Sequence, residues 1–464
     1  MAYIDKPFHS YESVEAFKKH LEAGLISPES ICFIKGSNQI YTQGSFIGVS
    51  EEVIKELETK VTTIQDNLDK VAEYSSKYKG GCVTGTYDTN LCTPPCWIYI
   101  QEYDSTPKAW KLLTEKEVKP DGTFEIWFDE PLTSWFAFFN RADYEPDGNE
   151  YGSLLGAITH LDYSNLNVSK LKNVLIESLT SLKTVVLPTY FPVLESIDFA
   201  GLDSLRTHTK IVVDNPIYTK YDTCSNLIEV DFSGIEIYGR DHICRKCSNL
   251  RKVSLFDMRH YDYTDVADPY SIYQLNYNLF LECGELREIT CINTDKVANW
   301  AQTFRMCSKL KKCDIEDFSA TLKFYGTWNR CWALEEMGVM NTEKCTVWQY
   351  VFWDCYNLKK IEEIDFSSMT TATQVFYNCK SLKYLKILNL GKSTKTSYDL
   401  SEPLNWGTGS EENRQSLVDS LLTYSYDRAA EGMSNCTIKL SSISKALLTE
   451  EELLAITNKG FTIS

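Results

Sequence analysis

The sequence predicts a multi-domain α+β chain whose second half is a solenoid of stacked repeats. Three observations predict it. The string Cys-x-x-Leu returns at Cys224, Cys247, Cys283, Cys307, Cys331, Cys355 and Cys379, in steps of 23, 36, 24, 24, 24 and 24 residues. A large apolar residue stands three places before the cysteine in most copies (Phe280, Phe304, Trp328, Phe352, Phe376), and another apolar position follows three places after the leucine (Val230, Val253, Ile289, Cys313, Met337, Ile361, Leu385). Ahead of the repeats, an apolar heptad over residues 54–71 separates a front module from the rest. A unit this short cannot bury its apolar face alone, but copies stacked in register build one continuous core.

At 464 residues the chain is long enough for about three domains. Its 43% hydrophobic content excludes wholesale disorder. Lys plus Arg is 47 and Asp plus Glu is 64, a formal charge of −17, so the surface repels phosphate and no nucleic acid partner is expected. No apolar run approaches the ~18 residues that cross a bilayer, so no membrane insertion is expected either. The opening ten residues lack a basic segment followed by an apolar core, and no secretory leader is read there. The cysteines are accordingly expected to be free, buried thiols in a reducing compartment.

Residues 1–48 read as a compact α/β anchor. Ser10 or Ser13 can cap a helix with the apolar face Val14, Phe17 and Leu21, ended by Gly24. Ile31-Cys-Phe-Ile34 and Gln39-Ile-Tyr41 form a hairpin around Gly36-Ser-Asn38. Residues 49–79 hold a coiled-coil stalk, with Ile54, Leu57, Val61, Ile64, Leu68 and Val71 as its seam. With Ile54 at position a, Leu68 falls at a and Ile64 at d, a choice that leans towards trimers. An amphipathic helix packed on its own domain has the same spacing.

Residues 80–150 read as a small β-sandwich or barrel, with strands at Trp97-Ile-Tyr-Ile100, Thr123–Phe128 and 134–139. Residues 151–403 are the solenoid, in which Leu179-Thr-Ser-Leu182 and 193–198 are degenerate early repeats. The 36-residue step is one repeat carrying an insertion between Tyr261 and Tyr277, and Ile361-Glu-Glu-Ile364 carries one extra residue. Residues 404–464 form a C-terminal cap: a helix face of Leu417, Leu421 and Leu422, a strand at 437–440, and a helix from Thr449 to Asn458 stopped by Gly460.

The stretch Gln374-Val-Phe-Tyr-Asn-Cys-Lys-Ser-Leu-Lys-Tyr-Leu385 resembles the leucine-rich repeats of the BspA-like surface-protein family, over roughly residues 175–390. That resemblance implies a leucine-rich-repeat solenoid with a strand per repeat and a binding or structural role. The segment Phe17 to Phe46 is similar to the N-terminal module of phage fibre-like proteins, in which a short coiled coil and a distal domain follow. This second resemblance implies a homotrimeric fibre on the virion surface, made in the host cytoplasm. Such a fibre would be held to other virion proteins through residues 1–48 and would present its repeats to a host-surface glycan or protein. The alternative is a bacterial BspA-like leucine-rich repeat adhesin, and a fibre that cleaves polysaccharide is a third reading.

No enzyme, cofactor or metal site is expected. Cys244-x-x-Cys247, with His242 and His260 near it, has the look of a zinc pair. The repeat explains it better, since Cys247 fills the cysteine slot and Cys244 the aromatic slot. Cys92 and Cys96 are one residue too far apart for a thioredoxin-like pair. Glu335-Glu336 and Glu362-Glu363 sit at variable repeat positions and read as solvated charge. The candidate binding residues are aromatics outside the core columns: Trp332 and Tyr356 just after a cysteine, and Trp353 and Tyr377 two places before one. Coils ~4.8 Å apart should stack each pair into a strip suited to sugars or protein partners, the alternative being that the rings pack on an adjacent subunit or loop.

Overall fold

The computed structural model describes residues 78–92, 118–132, 156–176, 179–208, 210–238, 242–261 and 278–464 in full, with separate strands and a few helical residues elsewhere. It divides into two units, residues 1–79 and 80–464.

In the first unit, strands Phe8–Tyr11, Ile31–Ile34, Gln39–Thr42 and Ser45–Gly48 form one sheet in that order. The expected hairpin is present, with Cys32 opposite Tyr41 and Phe33 opposite Ile40. Ser10 is not a helix cap: it lies in a strand opposite Phe33, because Phe8–Tyr11 pairs in parallel with Ile31–Ile34. Lys18, Lys19 and Glu22 are helical and exposed. The expected seam (Ile54, Leu57, Val61, Ile64, Leu68, Val71) lies outside the described residues.

The second unit starts as hairpins and becomes a stack of coils. Strands Gly81–Tyr87 and Thr123–Phe128 pair antiparallel, and Gly81–Tyr87 also pairs antiparallel with Ile158–Asp162. From there the sheet continues in parallel through Thr184–Val186 and Thr207–His208. A second sheet runs from Ala109–Glu117 through Trp97–Asp104 and Trp135–Phe139 into the parallel strands Asn173–Leu175, Ser196–Asp198 and Tyr218–Lys220. Residues 80–150 are thus built onto the first coils through two shared sheets. One cluster of buried side chains extends from Val83 to Phe461.

The repeat cysteines and leucines are fully buried. Each cysteine is small enough to let adjacent coils approach, and its thiol also donates a hydrogen bond. Cys224 donates to the Phe199 carbonyl, Cys247 to Tyr221, Cys283 to Cys244, Cys307 to Phe280, Cys331 to Phe304, Cys355 to Trp328 and Cys379 to Phe352, at 2.9–3.1 Å. The acceptor in each case is the residue three places before the corresponding slot of the preceding coil. The bond from Cys283 to Cys244 shows that these two coils are neighbours despite the 36-residue step, so the extra length leaves the stack unbroken.

The residue just before each repeat cysteine is left-handed. Thr223, Lys246, Glu282, Met306, Arg330, Asp354 and Asn378 have φ of 59–64°, a region that is uncommon for non-glycine residues. The stack holds them there. The amides of Glu282, Met306, Arg330 and Asp354 donate to carbonyls of the next coil at 2.7–2.8 Å. Inside, Phe280, Phe304, Trp328, Phe352 and Phe376 form one column of nearly parallel rings with centroids 5.1–6.3 Å apart. Each ring removed from water contributes roughly 1.5–3 kcal/mol.

The predicted irregularity at Ile361-Glu-Glu-Ile364 is a shift of register. Ile361 lies opposite Leu385 and Ile364 opposite Ile387, so the extra residue has no partner on that side. The preceding coil carries the same addition, Met337 opposite Ile361 and Met340 opposite Ile364. There Val339 is pushed outward to 55% exposure.

The cap begins with helix Glu411–Leu421, whose N-terminus is closed by the Ser410 side chain accepting from the Asn413 amide. Its hydroxyls finish the sheet. The Ile387 amide donates to Ser420 Oγ at 2.8 Å, and Ser420 Oγ donates to the Leu385 carbonyl at 3.2 Å. Trp406 Nε1 donates to the same carbonyl at 2.9 Å. Strands Ser397–Leu400, Cys436–Leu440 and Phe461–Ile463 make a last parallel sheet. Helix Glu450–Asn458 opens with a Thr449–Glu452 capping box. Buried Arg428 donates to the carbonyls of Gly391, Ser393 and Ser434 and so ties the cap to the final coil.

Candidate ligand-binding face

The four candidate aromatics fall on neighbouring coils and belong to a larger array. Trp353 and Tyr377 meet with centroids 5.4 Å apart at 73°, edge to face rather than stacked as expected. The positive ring edge of one over the negative face of the other is the preferred arrangement for such a pair. Trp353 also meets Tyr350 at 5.0 Å, and Tyr350 meets Tyr325 at 5.8 Å. Tyr325, Tyr350, Trp353 and Tyr377 therefore form a continuous half-buried row across three coils. Tyr325 and Tyr350 escaped the sequence reading because they stand six and five places before a cysteine, in no common column.

Trp332 and Tyr356 are the more open pair, 47% and 39% exposed. They occupy equivalent places on successive coils, as the bond from Asn357 Nδ2 to the Trp332 carbonyl shows. Asp354 links the two groups. Its carboxylate accepts from Asn378 Nδ2 at 2.8 Å, and Arg330 Nε lies 3.7 Å away. The Tyr356 phenol is raised by burial first and then by the neighbouring Asp354 charge. At the Tyr325 end, Asn329 Oδ1 and Arg305 Nε are buried without a hydrogen-bond partner.

Next in the Trp332–Tyr356 column is Lys380, whose carbonyl accepts from Asn405 Nδ2. Lys359, Lys360, Lys380 and Lys383 surround a cavity of about 510 Å³ where the last regular coil meets the cap. Lys359 is paired with Glu335 at 3.2 Å and Lys360 with Glu362 at 2.6 Å. Lys380 and Lys383 make no ion pair among the described residues.

The other chemistry-bearing residues have structural partners. Cys244 and Cys247 are buried in the core columns, and burial holds the Cys244 thiol well above its ordinary pKa. His242 Nε2 lies 3.3 Å from Asn278 Nδ2. Burial and then the neighbouring Arg245 charge lower its pKa. His260 Nε2 lies 2.6 Å from Glu236, away from both cysteines. Glu335 bridges Lys311 and Lys359, and Glu363 pairs with Lys386, so these acids are engaged in ion pairs. Cys92 is disulfide-bonded, a correction to the expectation of free thiols throughout.

No family model matches the chain, and no curated protein matches it. Two solved structures are similar to it. One is a leucine-rich repeat protein from Bacteroides ovatus, at 15% identity and a TM-score of 0.37, covering 64% of this chain and 71% of that one. The other is a leucine rich cell surface protein from Faecalibacterium prausnitzii, at 14% identity and a TM-score of 0.20, covering 68% of this chain and 97% of that one. At those TM-scores neither likeness carries an argument. The solenoid stands on this chain's own register, burial and coil-to-coil hydrogen bonds.

Proposed function

We propose that the chain is a non-enzymatic binding protein that displays its repeat solenoid at a surface, in the manner of a leucine-rich-repeat adhesin. The observation that carries this reading is the aromatic row Tyr325–Tyr350–Trp353–Tyr377, with the open rings of Trp332 and Tyr356 on two of the same coils. Aromatic clusters left at a surface, rimmed by polar groups, suit a binding partner. The repeat thiols support a non-catalytic role. A nucleophilic cysteine needs a lowered pKa, whereas burial drives the Cys307, Cys331 and Cys355 thiols upward. The disulfide at Cys92 suits an oxidising, exposed location. Flow cytometry with labelled protein on bacterial and epithelial cells tests the reading. Saturable binding that Trp353→Ala with Tyr377→Ala weakens is the expected result, and cells that stay unlabelled would refute it.

A second reading places the same solenoid on a phage particle, as a homotrimeric head or tail fibre anchored through residues 1–48. Its support is the heptad: Thr59 and Lys60 are helical and exposed, and in the Ile54 register they fall at f, the outward position, and g, which flanks the seam. Light scattering decides on the trimer, with three chains at micromolar concentration expected and one chain refuting it. Mass spectrometry of purified virions separates fibre from adhesin.

A further inference from the structure

We propose that the ligand of this face is an acidic polysaccharide, a glycan carrying carboxylates, which rests on the reading of the chain as a binding protein. Two features of the last coils are linked through the column Trp332, Tyr356 and Lys380. The first is the aromatic face, which offers ring surfaces to the C–H faces of sugars and polar groups at its margin. Tyr356, Asp354, Asn378 and Arg330 supply donors and acceptors between the rings.

The second feature is charge. The chain carries −17 overall, yet four lysines converge on the cavity at the cap, with Glu412 the acid among its lining residues. Lys359 and Lys360 are already committed to Glu335 and Glu362. Lys380 and Lys383 are not committed to any carboxylate described. Lys383 Nζ lies 3.4 Å from where a Cβ on Gly409 would stand, and Gly409 is left-handed at φ 94°, so a side chain there would be strained as well as crowd the ammonium. Lys380 follows Trp332 and Tyr356 in the same column, one coil further on. A chain of sugars lying on those rings would reach both ammonium groups one coil later, ~4.8 Å along the stack. A neutral glycan leaves these charges unused. At a net charge of −17 the rest of the surface repels a polyanion too, so the contact is local: single carboxylates sit on Lys380 and Lys383 while the rest of the glycan stays in salt-screened solvent.

Titration calorimetry of the full chain with oligogalacturonate, with oligosialate and with carboxyl-reduced oligogalacturonate tests this. One acidic oligomer or both should bind, and the reduced oligomer should bind about tenfold or more weakly. Lys380→Glu with Lys383→Glu should weaken the acidic oligomer by about tenfold or more, while the Arg double variant keeps its affinity. Trp353→Ala should weaken acidic and reduced oligomers alike. Equal affinity for acidic and reduced oligomers, or no effect of the Glu pair, overturns the acidic assignment. If neither acidic oligomer binds while labelled protein still coats cells, the glycan assignment fails and the binding role survives. If cells stay bare as well, both fail.

Discussion

The coils before Cys224 and those after it solve one problem in two ways. In the early coil, Gly201 and Leu202 occupy the places that a left-handed residue and a cysteine hold later. Gly201 has φ 79°, and its amide donates to the Asp222 carbonyl at 2.8 Å, the same bond made by Arg330 and its counterparts. Leu202 brings no donor, and its amide reaches the Phe199 carbonyl at only 3.4 Å, against 3.0 Å from Cys331 to Trp328. The late coils use Thr, Lys, Glu, Met, Arg, Asp and Asn in the left-handed place, at a cost of about 1 kcal/mol or more each. A dense ladder offsets that cost, with a thiol bond to the preceding coil in each of them and, in all but the last, two amide bonds to the next coil. The contrast teaches that the cysteine serves as a compact donor matched to its neighbours, and that the repeat must be copied whole to work.

The largest expected effect on this contrast is alkaline unfolding. An unfolded cysteine ionises near 8.5. In the fold, burial raises the thiols of Cys224, Cys307, Cys331 and Cys355, and carries Cys313 up to about 12. The folded state therefore keeps protons that the unfolded state releases, so stability is intact below about pH 8.5 and falls as pH rises. Each such thiol removes about 1.4 kcal/mol per pH unit. No cysteine lies between Cys96 and Cys224, so the thiol contribution falls mainly on the late coils, with a smaller one from Cys82. Fluorescence of buried Trp300, Trp328 and Trp348 should change cooperatively between pH 9 and 11. A signal constant to pH 11 would contradict this.

Next in size is the ring column. Trp328→Ala should cost about 3–5 kcal/mol in urea unfolding, since Trp328 stacks on Phe352 at 5.1 Å with no access to solvent. A reciprocal exchange sharpens the comparison further. Cys331→Leu should cost about 1–3 kcal/mol by overpacking. Leu202→Cys should cost less than Leu202→Ala, because the new thiol gains the Ile176 carbonyl as an acceptor; equal costs would deny the thiol bond its role. The smallest effect concerns the backbone. Gly201→Ala should destabilise by about 1–2 kcal/mol although no atom stands in its way. Arg330→Gly should be near neutral, with relief of strain set against the entropy of a glycine.

Much of the repeat domain was legible because burial repeats. Phe304, Cys307 and Leu310 recur in the next coils at the same offsets, and stacking forces those offsets to be equal. The cap helices were readable from Leu417 and Leu421, and from the run between Thr449 and Gly460. The left-handed place was not readable, since it is held by hydrogen bonds to the next coil rather than by glycine, and its occupants share no chemistry. Nor was the union of residues 80–150 with the first coils, because pairing such as that of Trp135–Phe139 with Asn173–Leu175 depends on contacts distant in sequence. Four of the six rings of the binding face were read, Trp332, Trp353, Tyr356 and Tyr377. Tyr325 and Tyr350 lay hidden because a surface has no reason to keep a period.

The serines of the cap helix carry a consequence for how such a chain can lengthen. Ser416 and Ser420 meet backbone atoms of Leu385 and Ile387 and so recognise the outline of a strand rather than any particular side chain. Any coil presenting the same backbone would be accepted beneath them. Duplication or deletion of a 24-residue module upstream would then change the reach of the protein while its terminus closed as before. The lid thus separates the question of where the stack stops from that of how long it is. It also denies a second molecule the open edge on which end-to-end growth would begin.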